Sequence, residues 1–181
     1  MIFTETKLKG AFIIEPEKLE DERGFFARAF DEKKFEEYGL NPRVVQCNIS
    51  FNKSKGTLRG MHYQIAPYEE TKLVRCTKGK ILDVIVDLRP ESKTFTQWFG
   101  IELSEENHKM LYVPEKFAHG FQTLEDNTEI FYQVSQIYSP KYEGGLRWDD
   151  PMLQISWPIK SALISKKDLA WPLVTSSKKD T

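Results

Sequence analysis

The sequence predicts an all-β domain, either an antiparallel sandwich or a barrel. Short β-like segments recur about every 10 to 15 residues with turn residues between them, a spacing typical of these folds and unlike a βαβ array. The chain has 181 residues, of which 40% are hydrophobic and 13% aromatic, so it can bury one sizeable core. We therefore expect a single domain over residues 1–175 and a polar tail over residues 176–181.

Each predicted strand is short and rich in apolar or β-branched residues. These strands cover residues 10–14, 25–30, 44–51, 57–64, 72–77, 80–88, 98–103, 110–113 and 129–135. Residues 31–38 form a polar segment that predicts a helical turn ended by Gly39. The turn at Lys78 and Gly79 predicts a hairpin of its two flanking strands. Both faces of the second of these strands are partly apolar, which predicts burial between two sheets.

Composition excludes several classes of protein. The chain carries 26 Lys and Arg against 27 Asp and Glu, a formal net charge of −1, so a nucleic-acid-binding surface is not expected. No apolar run reaches the roughly 20 residues of a membrane helix, and the first ten residues do not resemble a signal peptide. Cys47 and Cys76 are too far apart in sequence to suggest a disulfide framework or a zinc ribbon. We expect a cytoplasmic protein with reduced thiols and no membrane partner.

Common cofactor and metal motifs are absent from the sequence. It contains no GxGxxG, no GxxxxGK[ST] and no GxSxG pattern, which argues against dinucleotide binding, P-loop phosphate binding and the hydrolase nucleophile elbow. Its three histidines never form HxH or HExxH, so no metal site and no cofactor are expected.

The segment GTLRGMHYQ at residues 56–64 places an arginine and a histidine within one strand. His62 could be a general base, although a hydrogen-bonded structural histidine is the commoner explanation for any single histidine. Strict alternation puts Arg59 and His62 on opposite faces of the strand. A bulge at Gly60 would be needed to bring both side chains into one cavity.

Further segments carry polar groups that each also have an ordinary structural explanation. Residues 113–121 are rich in proline and glycine and predict a packed loop bearing His119. Tyr132 shares a strand face with apolar residues, so its hydroxyl needs a partner in the core or in a cavity. Lys72 lies on a face with a valine and a cysteine, where a lysine is mildly unusual.

Taken together, these groups form a chemically coherent set. His62 could be a base, Asp168 a carboxylate that orients it, Lys72 a cation and Tyr132 a phenol. Arginines suited to phosphate binding complete the set, namely Arg23 and Arg59. With no cofactor motif, this set favours proton transfer next to a carbonyl over redox chemistry or hydrolysis.

Eight motifs make the chain resemble the dTDP-4-dehydrorhamnose 3,5-epimerase family over about residues 10–172. They are DERGFF at 21–26, QCNIS at 46–50, GTLRGMHYQ at 56–64, KLVR at 72–75, DVIVDLR at 83–89, AHGF at 118–121, WDDP at 148–151 and SKKD at 165–168. The resemblance implies a cupin-like jelly roll of antiparallel strands and a homodimer that exchanges N-terminal strands. It also implies epimerisation at C3 and C5 of a nucleotide-linked 4-keto-6-deoxyhexose, without metal or cofactor.

The same resemblance assigns roles to individual residues. His62 matches the catalytic base, Asp168 its partner and Tyr132 the proton donor. Lys72 and His119 match contacts to the sugar near its C4 carbonyl. The remaining matches are substrate-binding positions, namely Arg23 and Arg59 at the diphosphate, Gln46, Cys47 and Asn48 in the same groove, Tyr138 at the nucleotide base, and Glu143 and Lys167 as further contacts.

Arg28 departs from the family pattern, because many members carry there a glutamate that contacts the thymine. An arginine cannot accept the thymine N3 hydrogen, so we expect thymidine diphosphate to be preferred only by a modest margin.

Three other functions remain open on the sequence. The first two are a sugar-nucleotide 3,4-ketoisomerase and a C3-only epimerase of the same fold, which would use similar groups with a different proton route. The third is a non-catalytic sugar-binding sandwich, which leaves the joint presence of His62, Lys72, Tyr132 and Asp168 without an explanation.

Overall fold

A computed structural model describes residues 1–160 and 163–174, in which strands dominate. The strands are β1 (Ile2–Glu5), β2 (Phe12–Glu15), β3 (Leu19–Asp21), β4 (Gly24–Phe26), β5 (Gln46–Asn52), β6 (Thr57–Gln64), β7 (Lys72–Lys78), β8 (Lys80–Asp87), β9 (Trp98–Ser104), β10 (Met110–Val113), β11 (Phe117–Thr123), β12 (Thr128–Val134), β13 (Glu143–Gly145) and β14 (Leu163–Ile164). The helices are α1 (Glu32–Glu37), α2 (Lys166–Leu169) and a 3-10 turn (Pro140–Tyr142).

The strands form two large sheets and one small hairpin. Sheet 1 has the order β1-β2-β10-β7-β12-β5, and sheet 2 has the order β13-β6-β11-β8-β9. Their pairings are antiparallel, apart from β14, which runs parallel to β6. β3 and β4 pair only with each other. The predicted all-β class and the cupin-like sandwich are therefore confirmed.

The hydrophobic core lies between the two sheets. Val74 on β7 and Leu111 on β10 pack against Ile81 and Ile85 on β8, all with no more than 2% exposure. The other face of β8 is buried too, with Val84 and Val86 in a second cluster. That cluster is completed by the C-terminal segment through Leu146 and Leu153 rather than by a sheet. The prediction that both faces of this strand lie between sheets is thus correct for one face only.

The predicted hairpin of residues 72–77 and 80–88 is wrong. β7 pairs with β10 and β12 in sheet 1, whereas β8 pairs with β11 and β9 in sheet 2. The turn at Gly79 therefore carries the chain from one sheet to the other. Alternation locates strands in a sequence, but a tight turn does not reveal whether the chain pairs with itself or crosses a sandwich.

The bulge required at Gly60 is present. Strands β11 and β6 pair His119 with His62, and they pair Phe121 with Arg59. These pairs are two residues apart on β11 but three residues apart on β6, so β6 contains one extra residue. Gly60 has φ of +145°, and a Cβ there would lie 2.6 Å from the Cα of Gly120. Only glycine allows this close approach.

Other expectations hold in part. The helical turn is α1, whose N-cap Asp31 accepts a hydrogen bond from the backbone N–H of Lys34. Residues 113–121 were expected to form a loop, but most of them belong to β10 or to the fully buried strand β11. β1, β3, β13 and β14 were not predicted at all. The expected polar tail, residues 176–181, lies outside the described residues. Among those residues, no helix is both long and apolar enough to cross a membrane.

Candidate active site

Two adjoining cavities lie between the sheets and share His62, Lys72 and Tyr132 in their walls. The first has a volume of ≈ 370 Å³ and is also lined by Gln46, Asn48, Tyr63, Gln64, Glu70, Val134, Tyr138 and Glu143. The second has a volume of ≈ 480 Å³ and is also lined by Ile49, Ser50, Phe51, Arg59, His119 and Phe121. His62 comes from sheet 2, whereas Lys72 and Tyr132 come from sheet 1. The shared region therefore presents polar groups on both walls.

His62 forms a close pair with a buried carboxylate. Its Nε2 lies 2.6 Å from Oδ1 of Asp168, whose side chain is 6% exposed, while the side chain of His62 is 31% exposed. Burial raises the pKa of Asp168, but its hydrogen bonds with His62 and Ser165 outweigh this effect and lower the pKa below its ordinary value. A carboxylate beside Nε2–H leaves Nδ1 of a neutral His62 as the proton acceptor.

The position of Asp168 depends on the short helix α2. Ser165 caps this helix by accepting a hydrogen bond from the backbone N–H of Asp168 at 3.0 Å. Trp171 follows the helix and lies edge-on to the His62 ring, with centroids 6.3 Å apart. Gly145 allows this packing, since a Cβ there would lie 2.3 Å from the indole. The ring of His62 is therefore held between its carboxylate and an aromatic side chain.

A second histidine–aspartate pair lies beside the first. His119 on β11 is the register partner of His62 on β6. Its Nε2 lies 2.7 Å from Oδ1 of Asp83, and the side chains are 9% and 0% exposed. Oδ2 of Asp83 has no hydrogen-bond partner within the described part of the chain. This pair is more deeply buried than the His62 pair and faces the second cavity.

Lys72 and Tyr132 lie on the opposite wall. β12 pairs with β7 so that Val134 is opposite Lys72 and Tyr132 opposite Val74, which puts Lys72 and Tyr132 on the same face. Lys72 is 9% exposed, and its Nζ lies 3.2 Å from Oε1 of Glu70. Burial raises the pKa of Tyr132, and the negative charge of Glu70 raises it further. Tyr132 is therefore a protonated phenol at neutral pH and can donate a proton.

An exposed cluster borders the first cavity. Lys167 Nζ contacts Oε2 of Glu143 at 2.6 Å, and the hydroxyl of Tyr138 donates to the same oxygen at 2.8 Å. Burial raises the pKa of Glu143, but the hydrogen bonds from Lys167 and Tyr138 lower it below its ordinary value. The backbone N–H of Tyr138 donates to Gln46, which ties the cluster to β5.

Most of the residues expected at the site therefore meet there. Nine of them line the cavities, namely Gln46, Asn48, Arg59, His62, Lys72, His119, Tyr132, Tyr138 and Glu143. Asp168 and Lys167 contact cavity residues. Cys47 is exposed and lines neither of the two cavities.

Arg23 and Arg28 lie apart from these cavities. Arg23 is on the turn of the β3–β4 hairpin, with its side chain 84% exposed and paired with Asp21. Arg28 follows the hairpin and contacts Asp31 at 3.1 Å.

Sequence reasoning missed several residues that shape the site. Glu70 lies two residues before Lys72, and an extended backbone would put both on one side, so alternation could have revealed it. Asp83 was available as an acid on a largely apolar strand face, which signals a buried carboxylate in need of a partner. Gln64 and Trp171 gave no such signal. No group of three His, Cys, Asp or Glu residues suited to a metal ion occurs in residues 1–160 and 163–174.

Comparison with known proteins gives a consistent result. The family described as dTDP-4-dehydrorhamnose 3,5-epimerase matches residues 5–176. A dTDP-4-dehydrorhamnose 3,5-epimerase of Shigella flexneri is 45% identical over 166 residues, which is 91% of this chain and 91% of the relative.

Two solved structures share the fold. A dTDP-4-dehydrorhamnose 3,5-epimerase of Bacillus anthracis, with TDP and PPi bound, superposes with a TM-score of 0.92 at 43% identity, covering 96% of this chain and 99% of that one. A Legionella pneumophila dTDP-6-deoxy-D-glucose-3,5-epimerase in complex with dTDP-4-keto-L-rhamnose has a TM-score of 0.89 at 40% identity, covering 95% and 92%.

Proposed function

This chain belongs to the dTDP-4-dehydrorhamnose 3,5-epimerase family, and we propose that it converts dTDP-4-dehydro-6-deoxyglucose into dTDP-4-dehydrorhamnose by inverting C3 and C5 of the sugar. The observation that carries this proposal is the position of His62 and Tyr132 on opposite walls of one cavity. Inversion of a carbon requires that a proton leave one face of the ring and that another arrive on the opposite face. A base and an acid on facing walls supply that arrangement.

His62 is the base in this proposal. The hydrogens at C3 and C5 both lie α to the C4 carbonyl, so removing either gives an enolate with its charge on O4. Nδ1 of His62 takes the proton, and Asp168 holds the ring orientation and stabilises the imidazolium that forms. The lowered pKa of Asp168 keeps this partner ionised at neutral pH.

Lys72 and His119 stabilise the enolate oxygen. The ammonium of Lys72 is a fixed positive charge on the cavity wall, where a low local dielectric strengthens its interaction with O4. His119, whose Nε2 is engaged by the buried Asp83 carboxylate, borders the second cavity and adds a hydrogen bond to the same oxygen. Tyr132 then delivers a proton to the face opposite His62, which completes the inversion.

Substrate binding involves groups remote from the reacting carbons. Arg59 is suited to the diphosphate, and its Nε already donates to Oδ1 of Asn52 at 2.8 Å, which orients the guanidinium. Gln46, Asn48, Tyr138, Glu143 and Lys167 provide polar contacts around the first cavity. Binding energy from these groups holds the ring in place for proton transfer.

We further propose a homodimer in which an N-terminal segment of one protomer completes the site of its partner. The β3–β4 hairpin exposes Leu19 and Phe26 at 69% and 67%, an apolar surface that favours contact with another chain. Edge strand β5 exposes Ile49 at 68% beside the second cavity. Placing the hairpin of one protomer on β5 of its partner would bring Arg23 and Arg28 toward a substrate.

Mixed dimers test this arrangement. We expect His62→Ala and Arg23→Ala to be separately inactive or impaired, and we expect their mixture, after dissociation and reassociation, to recover activity. Recovery follows because one site of each mixed dimer combines an intact His62 with an intact Arg23 from the partner. If the mixture has only the averaged activity of the two variants, Arg23 acts within its own chain or not at all.

A cytoplasmic location is part of the same proposal. Cys47 and Cys76 are both free, the first exposed and the second buried. Burial raises the pKa of Cys76 to about 12, which makes it an unreactive thiol. Free thiols agree with a reducing compartment.

Isotope exchange tests the reaction directly. The protein is incubated with dTDP-4-dehydro-6-deoxyglucose in deuterated water, and the product is analysed by mass spectrometry and NMR, with His62→Ala as the control. We expect deuterium at C3 and C5 of an inverted product. Exchange at C3 alone would identify a C3-only epimerase, migration of the ketone to C3 would identify a 3,4-ketoisomerase, and binding without exchange would leave a sugar-binding protein.

A further inference from the structure

Glu70 is a carboxylate that lines the first cavity and has a partner at each oxygen. It lies in the segment just before β7, and its side chain is 10% exposed. Oε1 is 3.2 Å from Nζ of Lys72, and Oε2 accepts a hydrogen bond from Nε2 of Gln64 at 3.2 Å. A carboxylate with both oxygens engaged has a defined orientation, and so does the ammonium that it contacts.

Gln64 is itself held rigidly. It is 3% exposed, and its two Nε2 hydrogens are shared among Oε2 of Glu70 and the carbonyl oxygens of Tyr68 at 3.0 Å and Ile137 at 3.3 Å. Its Oε1 accepts the backbone N–H of Ser139 at 2.6 Å. Gln64 lies two residues after His62 on β6. The anchor of Glu70 is therefore part of the strand that carries the base, and it links both walls of the cavity.

We propose that Glu70 is a positioning residue for the epimerisation, and that its carboxylate, anchored by Gln64, fixes the ammonium of Lys72 where the enolate oxygen develops. The inference rests on the proposed function, because it assigns Glu70 to the same reaction. Glu70 acts through Lys72 and needs no contact with the reacting carbons.

The physical reason lies in the properties of a buried lysine. A lysine has a flexible four-carbon stem, so its charge must be fixed in advance if it is to stabilise an oxyanion without reorganisation. An unpaired ammonium in a cavity is also costly, and the Glu70 carboxylate compensates it in the free enzyme. As charge develops on O4, the ammonium can interact with the enolate without changing place.

Glu70 has a second electrostatic effect, on Tyr132. Burial raises the pKa of Tyr132, the negative charge of Glu70 raises it further, and Arg59 opposes this. The titratable and charged groups that share the cavity walls with Tyr132 are Arg59, His62, Tyr63, Glu70, Lys72, His119, Tyr138 and Glu143. Replacing the carboxylate with an amide therefore lowers the pKa of Tyr132, and the alkaline limb of the pH–rate profile moves to lower pH.

The first test combines Glu70→Gln with Lys72→Gln. Glu70→Gln keeps the size of the side chain, and we expect kcat to fall between about 10-fold and about 10²-fold, the loss typical of a misplaced catalytic group, with little change in KM. In the Lys72→Gln background the same change should cost less than about twofold, because the group on which Glu70 acts is gone. Equal costs in the two backgrounds would overturn the proposal.

A neighbouring residue provides the matched control. Glu69 pairs with Lys116 at 3.7 Å and does not line either cavity. Glu69→Gln removes the same charge one residue away, and we expect it to leave kcat unchanged. A loss in this variant equal to that of Glu70→Gln would show a general effect of the loop and contradict a specific role for Glu70.

Ultraviolet titration gives a readout that does not require activity. The titration curve of each protein is measured with Tyr132 present and with the Tyr132→Phe substitution, and the difference between the two curves is the titration of Tyr132. This is done once in the wild-type background and once in the Glu70→Gln background. We expect a lower Tyr132 pKa in the Glu70→Gln protein, and no shift would contradict the electrostatic argument. If Glu70→Gln does not fold, Glu70→Asp replaces it, since it keeps the charge but is too short to reach both Lys72 and Gln64. Wild-type kcat in that variant would overturn the positioning role.

The controls also separate this proposal from the function on which it rests. A wild-type protein without epimerase activity would refute the proposed function, while the Tyr132 titration would still test the effect of Glu70.

Discussion

Two histidine–aspartate pairs lie side by side at the candidate active site. The distance between the histidine nitrogen and the aspartate oxygen is nearly the same in both pairs, but the pairs differ in how deeply they are buried. His62 and Asp168 are 2.6 Å apart, and His119 and Asp83 are 2.7 Å apart. The side chain of His62 is 31% exposed, whereas that of His119 is 9% exposed. Asp168 belongs to a capped helix from the end of the chain, and Asp83 belongs to the neighbouring strand.

The proposed mechanism gives the two pairs different chemical roles, and the difference in burial agrees with those roles. A base must reach the substrate and exchange its proton with solvent, which suits the more exposed His62. A hydrogen-bond donor to an oxyanion works best when it is buried and fixed, which suits His119. The distance between histidine and aspartate does not distinguish these roles, whereas burial does.

The largest expected loss of turnover follows from substitution in the more exposed pair, His62 and Asp168. His62→Ala should lower turnover by about 10² to 10⁴-fold, the contribution of a positioned general base. Nucleotide affinity and the fold should remain, because His62 lies apart from the hydrophobic core clusters. Steady-state kinetics and calorimetric titration with thymidine diphosphate measure both quantities. Retention of more than about a tenth of the wild-type rate would contradict the role of base.

A smaller effect is expected at the buried pair. His119→Gln removes the ring but keeps a hydrogen-bond donor, so kcat should fall by less than the about 10² to 10³-fold typical of losing an oxyanion donor altogether. Proton exchange and inversion should fall together, since both pass through the enolate. A rate loss larger than that of His62→Ala would reverse the assignment of the two histidines.

The smallest expected effect concerns stability in acid. Asp168 has a pKa below its ordinary value of 3.8 in the folded protein, so its ionised form stabilises the fold above that pH, and this contribution is lost as the pH falls further. Asp168→Asn should therefore lower Tm at pH 7, and the deficit should shrink below pH 3.8. Asp149→Asn, at an exposed ion pair with Arg147, is the control. A constant deficit at every pH would contradict the linkage.

Local patterns in the sequence predict much of the fold but little of its long-range pairing. Alternation located β6, β8, β10 and β12 to within a residue or two, because side-chain period depends only on neighbouring residues. The crossing at Gly79 was mistaken for a hairpin, since pairing partners lie far away in sequence. The short strands β1 and β3 lack the length for a clear pattern.

At the candidate site, too, local sequence patterns predicted some features, whereas long-range contacts could not be predicted from them. The need for a bulge at Gly60 followed from the spacing of Arg59 and His62, and the structure contains that bulge. Asp168 was suggested by its residue type as a carboxylate that could orient His62, and the family resemblance assigned the same pair, whereas no local rule connects residues that far apart in sequence. Asp83 was visible in the sequence as an acid on a largely apolar strand face, and Glu70 as an acid two residues before Lys72, but their partners became evident only when the sheets were packed together.

The most direct test of the account is the behaviour of Tyr132→Phe in deuterated water. In the proposed reaction His62 removes a proton on one face and Tyr132 returns one on the other. Without the phenol, the His62 imidazolium can still return a proton to the face from which it came, so deuterium should enter C3 and C5 while little inverted sugar forms. If exchange and inversion fall by the same factor, Tyr132 is not the acid of the second face, and the assignment of roles to the two walls is wrong.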